Sequence, residues 1–179
     1  MAPPLDVVVV RTSDMTTTLW RHLVDLCSRA YEEDFEPYLR TVTPATHVIG
    51  MIDGRPVTHL AWIERELRSP PTGSMRTAYI EAVATLPERQ RRGYASDLLA
   101  RVPGLVAGYA LAALSPSYEP FYSRLGWEPW RGPLSYRDPA GTQIMTPDEV
   151  VMIHRLPLTP PLLDLGAPLS TDWRPGEVW

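Results

Sequence analysis

The order of apolar and polar positions predicts strands that alternate with helices. Residues 6–11 contain four consecutive valines, which is typical of a buried strand. Residues 17–29 follow, and their apolar side chains recur at helical spacing and predict one apolar helix face, formed by Trp20, Leu23, Val24 and Cys27. Residues 31–40 are acidic and interrupted by Pro37, so this segment is predicted as a short helix or a loop.

The middle of the chain carries the clearest strand and turn signals. A strand at 47–52 and a longer strand at 57–68 are separated by Asp53-Gly54, a dipeptide that favours a hairpin turn. A Pro- and Gly-rich loop at 69–74 leads to a third strand at 77–85. A helix is predicted at 93–102, where Pro103 and Gly104 should end or kink it.

The last third of the chain predicts shorter elements. They are an apolar strand at 109–114, a helix at 119–125 closed by Gly126, a strand at 150–155 and a proline-rich coil from Leu156 onward. The sum is an α/β (α+β) fold with a mixed sheet. A length of 179 residues predicts one domain, residues 1–179, with an extended tail at about 157–179.

Composition narrows the class of protein. No run of 18 apolar residues is present and no basic segment precedes the apolar N-terminal run, so neither a membrane span nor a signal peptide is expected. One cysteine excludes an internal disulfide, and the scattered histidines give no zinc spacing, so we expect a cytoplasmic protein without a metal. The net charge of -4 argues against general nucleic-acid binding and is weakly compatible with a cationic ligand.

One segment, residues 86–96, carries most of the chemical information. It joins a predicted strand to a predicted helix, and the small residues Gly93 and Ala95 let a ligand approach the backbone. Free amides at the helix start and three arginines, Arg89, Arg91 and Arg92, favour a phosphate or pyrophosphate. The same residues would also fit a basic turn that only caps a helix, and the turn chemistry alone leaves both interpretations open.

The run Gln90-Arg-Arg-Gly93-Tyr-Ala95 resembles the Gln/Arg-x-x-Gly-x-Gly/Ala signature of the GCN5-related N-acetyltransferases (GNAT). Residues 119–127 resemble the family's second hallmark, in which a Tyr precedes a Gly and an aromatic residue. The resemblance implies the GNAT fold, with a mostly antiparallel mixed sheet, and acetyl-CoA as cofactor. It implies cofactor contacts from residues of the third strand and the turn, namely Val83, Thr85, Gln90, Arg91, Arg92, Gly93, Tyr94, Ala95 and Ser96.

The likeness extends to the aminoglycoside 2'-N-acetyltransferases. It is carried by residues 79–84, 113–115, 126–133 and 146–148, and above all by the run Asp-Trp-Arg-Pro-Gly-Glu-Val-Trp at 172–179. The resemblance implies acetylation of the 2'-amino group of an aminoglycoside antibiotic, giving resistance. Ala82 stands where a glycine is usual and Glu177 where an aspartate is usual, so the antibiotic stays open and kasugamycin is a candidate.

The resemblance also implies roles for individual residues. Glu81 would bind substrate amines and act as base through water, Tyr122 would protonate the departing thiolate, and the Val83 amide would polarise the thioester carbonyl. The alternatives are a solvent-facing Glu81 and a Tyr122 that only packs. The substrate-binding set would be Asp34, Glu81, Ala82, Ser115, Ser117, Asp148, Glu149, Glu177 and the carboxylate of Trp179. Trp173 and Trp179 are expected to anchor the tail by burying their rings.

Two other functions are compatible with the sequence. The chain could acetylate another amine, such as a polyamine, an amino acid or a peptide N-terminus, or it could bind coenzyme A without turnover. A homodimer is compatible with the resemblance, since relatives often dimerise. Neither a nucleic acid nor a membrane is expected as a partner.

Overall fold

The structure is a computed structural model that describes residues 4–179. The described chain divides into two compact units. The first unit comprises residues 4–63 with Ile80–Arg101, and the second comprises Glu64–Tyr79 with Val102–Trp179.

The elements alternate broadly as the sequence predicts. The helices are α1 (Thr17–Tyr31), α2 (Glu36–Thr41), α3 (Tyr94–Leu105) and α4 (Glu119–Ser123). The strands are β1 (Asp6–Arg11), β2 (Thr46–Ile52), β3 (Arg55–Ser69), β4 (Gly73–Thr85), β5 (Leu111–Leu114), β6 (Glu128–Pro129), β7 (Leu134–Arg137), β8 (Gln143–Met145), β9 (Met152–Arg155) and β10 (Leu169–Asp172).

In the first unit, β2 pairs antiparallel with both β1 and β3. The turn between β2 and β3 has positive φ at both central residues, 50° at Asp53 and 72° at Gly54, which is the geometry that an Asp-Gly hairpin favours. The Thr16 hydroxyl begins α1 by accepting the Leu19 amide at 3.2 Å. The helix then packs its apolar face into the core of this unit, made by Leu26, Cys27, Phe35, Leu39, Val42, Ala82 and Ala84.

In the second unit, β5 pairs in parallel with β4 over Thr77–Tyr79 and antiparallel with β9, which in turn pairs with β6. The end of β3 meets β10, β10 runs parallel to β7, and β7 pairs antiparallel with β8. Parallel and antiparallel ladders therefore occur together. The predicted α/β fold with a mixed, mostly antiparallel sheet is confirmed, whereas the assignment of residues 1–179 to a single domain stays a prediction.

Several local predictions were wrong. The tail is not all coil, because β10 inserts beside β7 and buries Leu169 and Thr171. The helix does not end at Pro103, because α3 continues to Leu105 with Val102 and Val106 buried, whereas the alternative that Pro103 kinks the helix stays a prediction. The short strands β6, β7 and β8 have too few residues to show a period, so they were not predicted. Among the described residues, no helix is long and apolar enough to cross a bilayer.

Candidate functional site

The strand β4 continues through Ala82, but the backbone of this residue departs from strand geometry, and we call this local irregularity the break in β4. This residue has a φ of 51°, in the left-handed region that residues with a side chain rarely adopt. Its carbonyl accepts a hydrogen bond from the Nδ1 atom of His59 at 2.9 Å. The ladder between β4 and β5 has already ended at Tyr79. The backbone that follows this ladder is therefore irregular between Glu81 and Val83.

Glu81 is a buried carboxylate, with 6% of its surface exposed. The Tyr38 hydroxyl donates to its Oε2 atom at 2.6 Å. A carboxylate is rarely buried unless it is hydrogen-bonded or paired, since burial removes its hydration. The alternative in which Glu81 faces solvent is thus excluded.

Aromatic residues from the end of α1 to the first half of α2 contact this part of β4. The Tyr31 hydroxyl donates to the Val83 carbonyl at 3.0 Å, and Phe35 stacks on Tyr31 with ring centroids 4.2 Å apart. Phe35 also contacts Tyr38 at 4.9 Å. Sequence reasoning missed Tyr31 and Tyr38, although aromatic residues at 31, 35 and 38 lie close to helical spacing and could have indicated a shared face.

Asp34 lies in the same segment, just before α2. It is exposed, and its Oδ1 atom accepts the Glu36 amide at 3.2 Å. This bond fixes the turn into α2, the helix that carries Tyr38. The second carboxylate oxygen of Asp34 has no hydrogen bond among the described residues, so it is available to a cationic group.

The turn after β4 is built to expose backbone amides. Gln90 closes it by donating from Nε2 to the Thr85 carbonyl at 3.2 Å. Arg91 and Gly93 have φ values of 58° and 87°, and α3 begins at the next residue, Tyr94. A side chain at Gly93 would meet no atom within 4 Å, so the turn is open to an incoming ligand.

The amides of the first turn of a helix lack carbonyl partners within that helix, and such amides can bind anions. Ala95 and Ser96 are half-buried there, and Arg91 and Arg92 are exposed and form no ion pair within residues 4–179. The ring of Tyr94 packs in a buried cluster with Ile52 and Val57. Tyr94 can therefore offer a ligand its backbone but not its ring.

The Thr85 hydroxyl forms a hydrogen bond within the protein, since its Oγ1 atom lies 2.8 Å from that of Thr58 on β3. Arg29 donates to both carboxylate oxygens of Glu88 at 2.9 Å, which ties α1 to the start of the turn. These contacts connect the turn to β3 and to α1.

Tyr122 belongs to the second unit and lies on α4. It is buried, and burial raises the pKa of its phenol above the ordinary value of 10.0, although a hydrogen bond with Ser117 acts in the opposite direction. Its ring meets Trp127 edge-on at 6.3 Å, beyond the turn that Gly126 makes with a φ of 85°. The phenol is therefore a neutral proton donor throughout the physiological range.

A cavity of about 570 Å³ in the second unit has one predicted substrate-binding residue, Glu149, in its lining. Glu149, Thr146 and Trp130 line it. The indole Nε1 of Trp179 donates to the Thr146 Oγ1 atom at 2.9 Å. The backbone amide of Glu149 donates to the Thr146 carbonyl at 3.2 Å, so Glu149 and Trp179 each have a hydrogen bond with Thr146.

Other predicted residues are exposed and form no hydrogen bond with another member of the predicted set within the described chain: Ser115, Asp148 and Glu177.

The last residues are anchored by a buried arginine that sequence reasoning did not identify. Arg65 stacks on the ring of Tyr79 at 5.2 Å, donates to the Val178 carbonyl, and donates to the Asp172 carbonyl at 2.7 Å. Trp179 is buried as expected, but Trp173 is 45% exposed, so the prediction that its ring anchors the tail is wrong. Asp172 is held instead through Arg68, which is paired with it at 2.8 Å.

Comparisons with known proteins identify relatives of this chain. The family model of the acetyltransferase (GNAT) domain matches residues 11–130. The aminoglycoside 2'-N-acetyltransferase of Mycolicibacterium fortuitum is 32% identical over 178 residues, covering 96% of this chain and 90% of that protein.

Solved structures share the fold at lower identity. The GNAT family N-acetyltransferase YhbS of Escherichia coli, in complex with CoA, has a TM-score of 0.62 and 17% identity, covering 97% of this chain and 92% of that one. A GNAT family acetyltransferase of Brucella melitensis, in complex with acetyl-CoA, has a TM-score of 0.51 and 14% identity, covering 69% and 83%. Some larger solved chains are matched over only about a third of their length. The family model and the mycobacterial relative together show that this chain belongs to the GNAT acetyltransferase family.

Proposed function

We propose that the chain acetylates the 2'-amino group of an aminoglycoside, with kasugamycin-like or other 2'-amino compounds as acceptors. The observation that carries the acetyl-transfer chemistry is the buried carboxylate of Glu81, bonded to Tyr38 and placed beside the break in β4. Acetyl-CoA is the acetyl donor, in agreement with neighbours of this fold that were solved with CoA or acetyl-CoA.

The cofactor would be held by the turn at 90–96. The first-turn amides of α3 would accept the pyrophosphate, and Arg91 and Arg92 would add positive charge from exposed positions. The pantetheine arm would follow β4 after Tyr79, where the ladder with β5 ends. The Val83 amide would then donate to the thioester oxygen as negative charge develops on it.

The reaction needs a neutral amine, and Glu81 would accept its proton through water. The amine nitrogen then attacks the thioester carbonyl, a C–N bond forms and the C–S bond breaks. Tyr122 would give its proton to the departing thiolate, which suits a phenol that burial keeps protonated. Holding both substrates in register can contribute about 7–11 kcal/mol of barrier reduction.

The acceptor class is supported by the mycobacterial relative, whose similarity covers nearly the whole chain. An aminoglycoside carries several ammonium groups, which carboxylates recognise. The acids proposed to bind them are Asp34, Glu149 and Glu177. Of these, Glu149 lines the cavity of the second unit.

The test is the release of free thiol from acetyl-CoA with kanamycin-type, gentamicin-type and kasugamycin acceptors in parallel. The site of acetylation would be located by NMR of the product. An analogue with a 2'-hydroxyl in place of the 2'-amine is the matched control and should give no amide. Turnover with polyamines or peptide N-termini but with none of the antibiotics would instead favour the alternative of another amine acceptor. Binding of acetyl-CoA without any turnover would refute enzymatic function.

A further inference from the structure

A row of three hydrogen-bonded polar side chains in the first unit ends at the Ala82 carbonyl, at the break in β4. The Thr12 Oγ1 atom lies 3.0 Å from His47 Nε2, and His47 Nδ1 lies 2.9 Å from His59 Nε2. His59 Nδ1 then lies 2.9 Å from the Ala82 carbonyl oxygen. Four residues that are distant in sequence are thus joined by three consecutive hydrogen bonds.

The last bond fixes the direction of all the others. A carbonyl oxygen only accepts, so His59 must carry a proton on Nδ1 and its Nε2 atom must accept. His47 must therefore donate from Nδ1 and accept at Nε2. The Thr12 hydroxyl accepts the Ala45 amide at 3.1 Å, and its single proton is shared between two acceptors, His47 Nε2 at 3.0 Å and the Ala45 carbonyl oxygen at 3.1 Å.

The row is enclosed and uncharged. His47 and His59 are fully buried, and burial lowers the pKa of His47 to about 4 and that of His59 to about 3. The neighbouring His47 contributes to the lowering of the His59 pKa, and the hydrogen bond with the Ala82 carbonyl opposes it. The thiol of Cys27 lies 3.7 Å from His59 Nδ1, and burial raises its pKa to about 12, so it stays protonated. Both rings are thus neutral at pH 7 and each has one donor and one acceptor to place.

We propose that His59, oriented by His47 and Thr12, is a positioning residue for acetyl transfer: it holds the Ala82 carbonyl and thereby the left-handed backbone that sets Glu81 and Val83. An alanine rarely takes this conformation, so the surrounding contacts must maintain it. The bond from His59 reaches the peptide oxygen of that residue. The inference rests on the proposed roles of Glu81 and Val83.

The first test does not depend on enzymatic activity, because it observes the histidine rings directly. Nitrogen-15 NMR of the ring nitrogens, at pH 7, should show both buried histidines with the proton on Nδ1. Single His47→Gln and His59→Asn variants would assign the two sets of signals. A proton on Nε2 of His59 would overturn the proposal, because the Ala82 carbonyl would then have no donor.

The second test distinguishes the effect of the hydrogen bond between His59 and the Ala82 carbonyl from the effect of the volume of the His59 ring. His59→Asn keeps an amide donor near the position of Nδ1, whereas His59→Leu keeps volume and removes the donor. We expect kcat for thiol release to fall by about 10- to 100-fold in His59→Leu, as expected when a buried hydrogen bond is lost, and to recover in large part in His59→Asn. The KM for acetyl-CoA should stay within about threefold, because the turn at 90–96 is unaltered.

Controls distinguish positioning from folding and from the substrate assignment. Cys27→Ala removes the thiol beside the same Nδ1 atom but leaves the Ala82 bond, and its kcat should equal that of the unaltered protein. The stoichiometry of acetyl-CoA binding, measured by calorimetry, corrects kcat for the folded fraction. Equal kcat values for His59→Leu and His59→Asn after that correction would refute the positioning role. If no antibiotic is acetylated, the proposed function fails, while the NMR result still decides the inference.

Discussion

Replacement of Tyr122 by phenylalanine is the sharpest test of the proposed chemistry. The change removes one oxygen and leaves the ring contacts with Phe121, at 5.0 Å, and with Trp127, at 6.3 Å. The hydroxyl's partner, Ser117, is exposed and can return to water, so we expect a stability loss below about 1 kcal/mol. Loss of a general acid costs about 10²- to 10⁴-fold in rate, so kcat should fall far more than stability does.

The assay is thiol release under saturating acetyl-CoA, beside a thermal melt and a calorimetric acetyl-CoA titration. The melting temperature should shift by no more than about 4 °C, and cofactor affinity should be kept. The matched control is Tyr118→Phe, because Tyr118 is 64% exposed and lies one turn away. Burial raises the pKa of Tyr122 above 10.0, so the effect should be constant from about pH 6 to about pH 9. A kcat within threefold of the unaltered protein would remove Tyr122 from the mechanism.

Three further predictions concern the cofactor turn and the tail. Gly93→Ala should lower stability by about 1 kcal/mol through its φ of 87° alone, as measured by urea denaturation, since no atom lies near the added methyl. Arg92→Ala should raise the Kd for acetyl-CoA by about 3- to 10-fold at low salt, and added salt should shrink the difference in calorimetry. Arg68 lowers the pKa of the Asp172 carboxyl below its ordinary value of 3.8, mainly through a hydrogen bond. The pair therefore stabilises the fold at pH values above 3.8, and this stabilisation is lost as the pH falls through the folded-state pKa of Asp172. Because the pair is partly exposed, Arg68→Met should lower the free energy of unfolding by less than about 1 kcal/mol at pH 7. Below the folded-state pKa of Asp172 the substitution should have no effect on denaturation curves.

Local signals in the sequence were enough for the elements that local chemistry determines. The Asp53-Gly54 turn, the apolar face of α1 and the small residues at the start of α3 each act within a few positions along the chain. The turn at 90–96 was therefore predictable as a strand-to-helix turn, whereas the ligand that its resemblance to a known signature implies there stays a prediction.

The remainder of the candidate site depends on contacts between residues far apart in sequence. The carboxylate of Glu81 is buried because Tyr38, 43 positions earlier, supplies its donor. Arg65 holds the tail through carbonyls 107 and 113 positions later, which no local period could indicate. The strand β10 likewise exists because β7 offers it a partner, since its own four residues carry too short a pattern to predict.

The break at Ala82 shows why motif reading finds the residues of this site but not their geometry. Alternation along β4 predicts that Glu81 and Val83 share one face, with Ala82 opposite, and this is how a regular strand would place them. The left-handed conformation of Ala82 interrupts that pleat, and the donor that holds its carbonyl comes from β3. The partner of that donor is a histidine on β2, and the row ends at a threonine after β1. The carbonyl between two proposed active-site groups is thus bonded to a row of polar residues from three other segments, none of which belongs to a motif. If that row positions Glu81 and Val83 as proposed, substitutions at His47 or Thr12 should alter catalysis without touching either substrate.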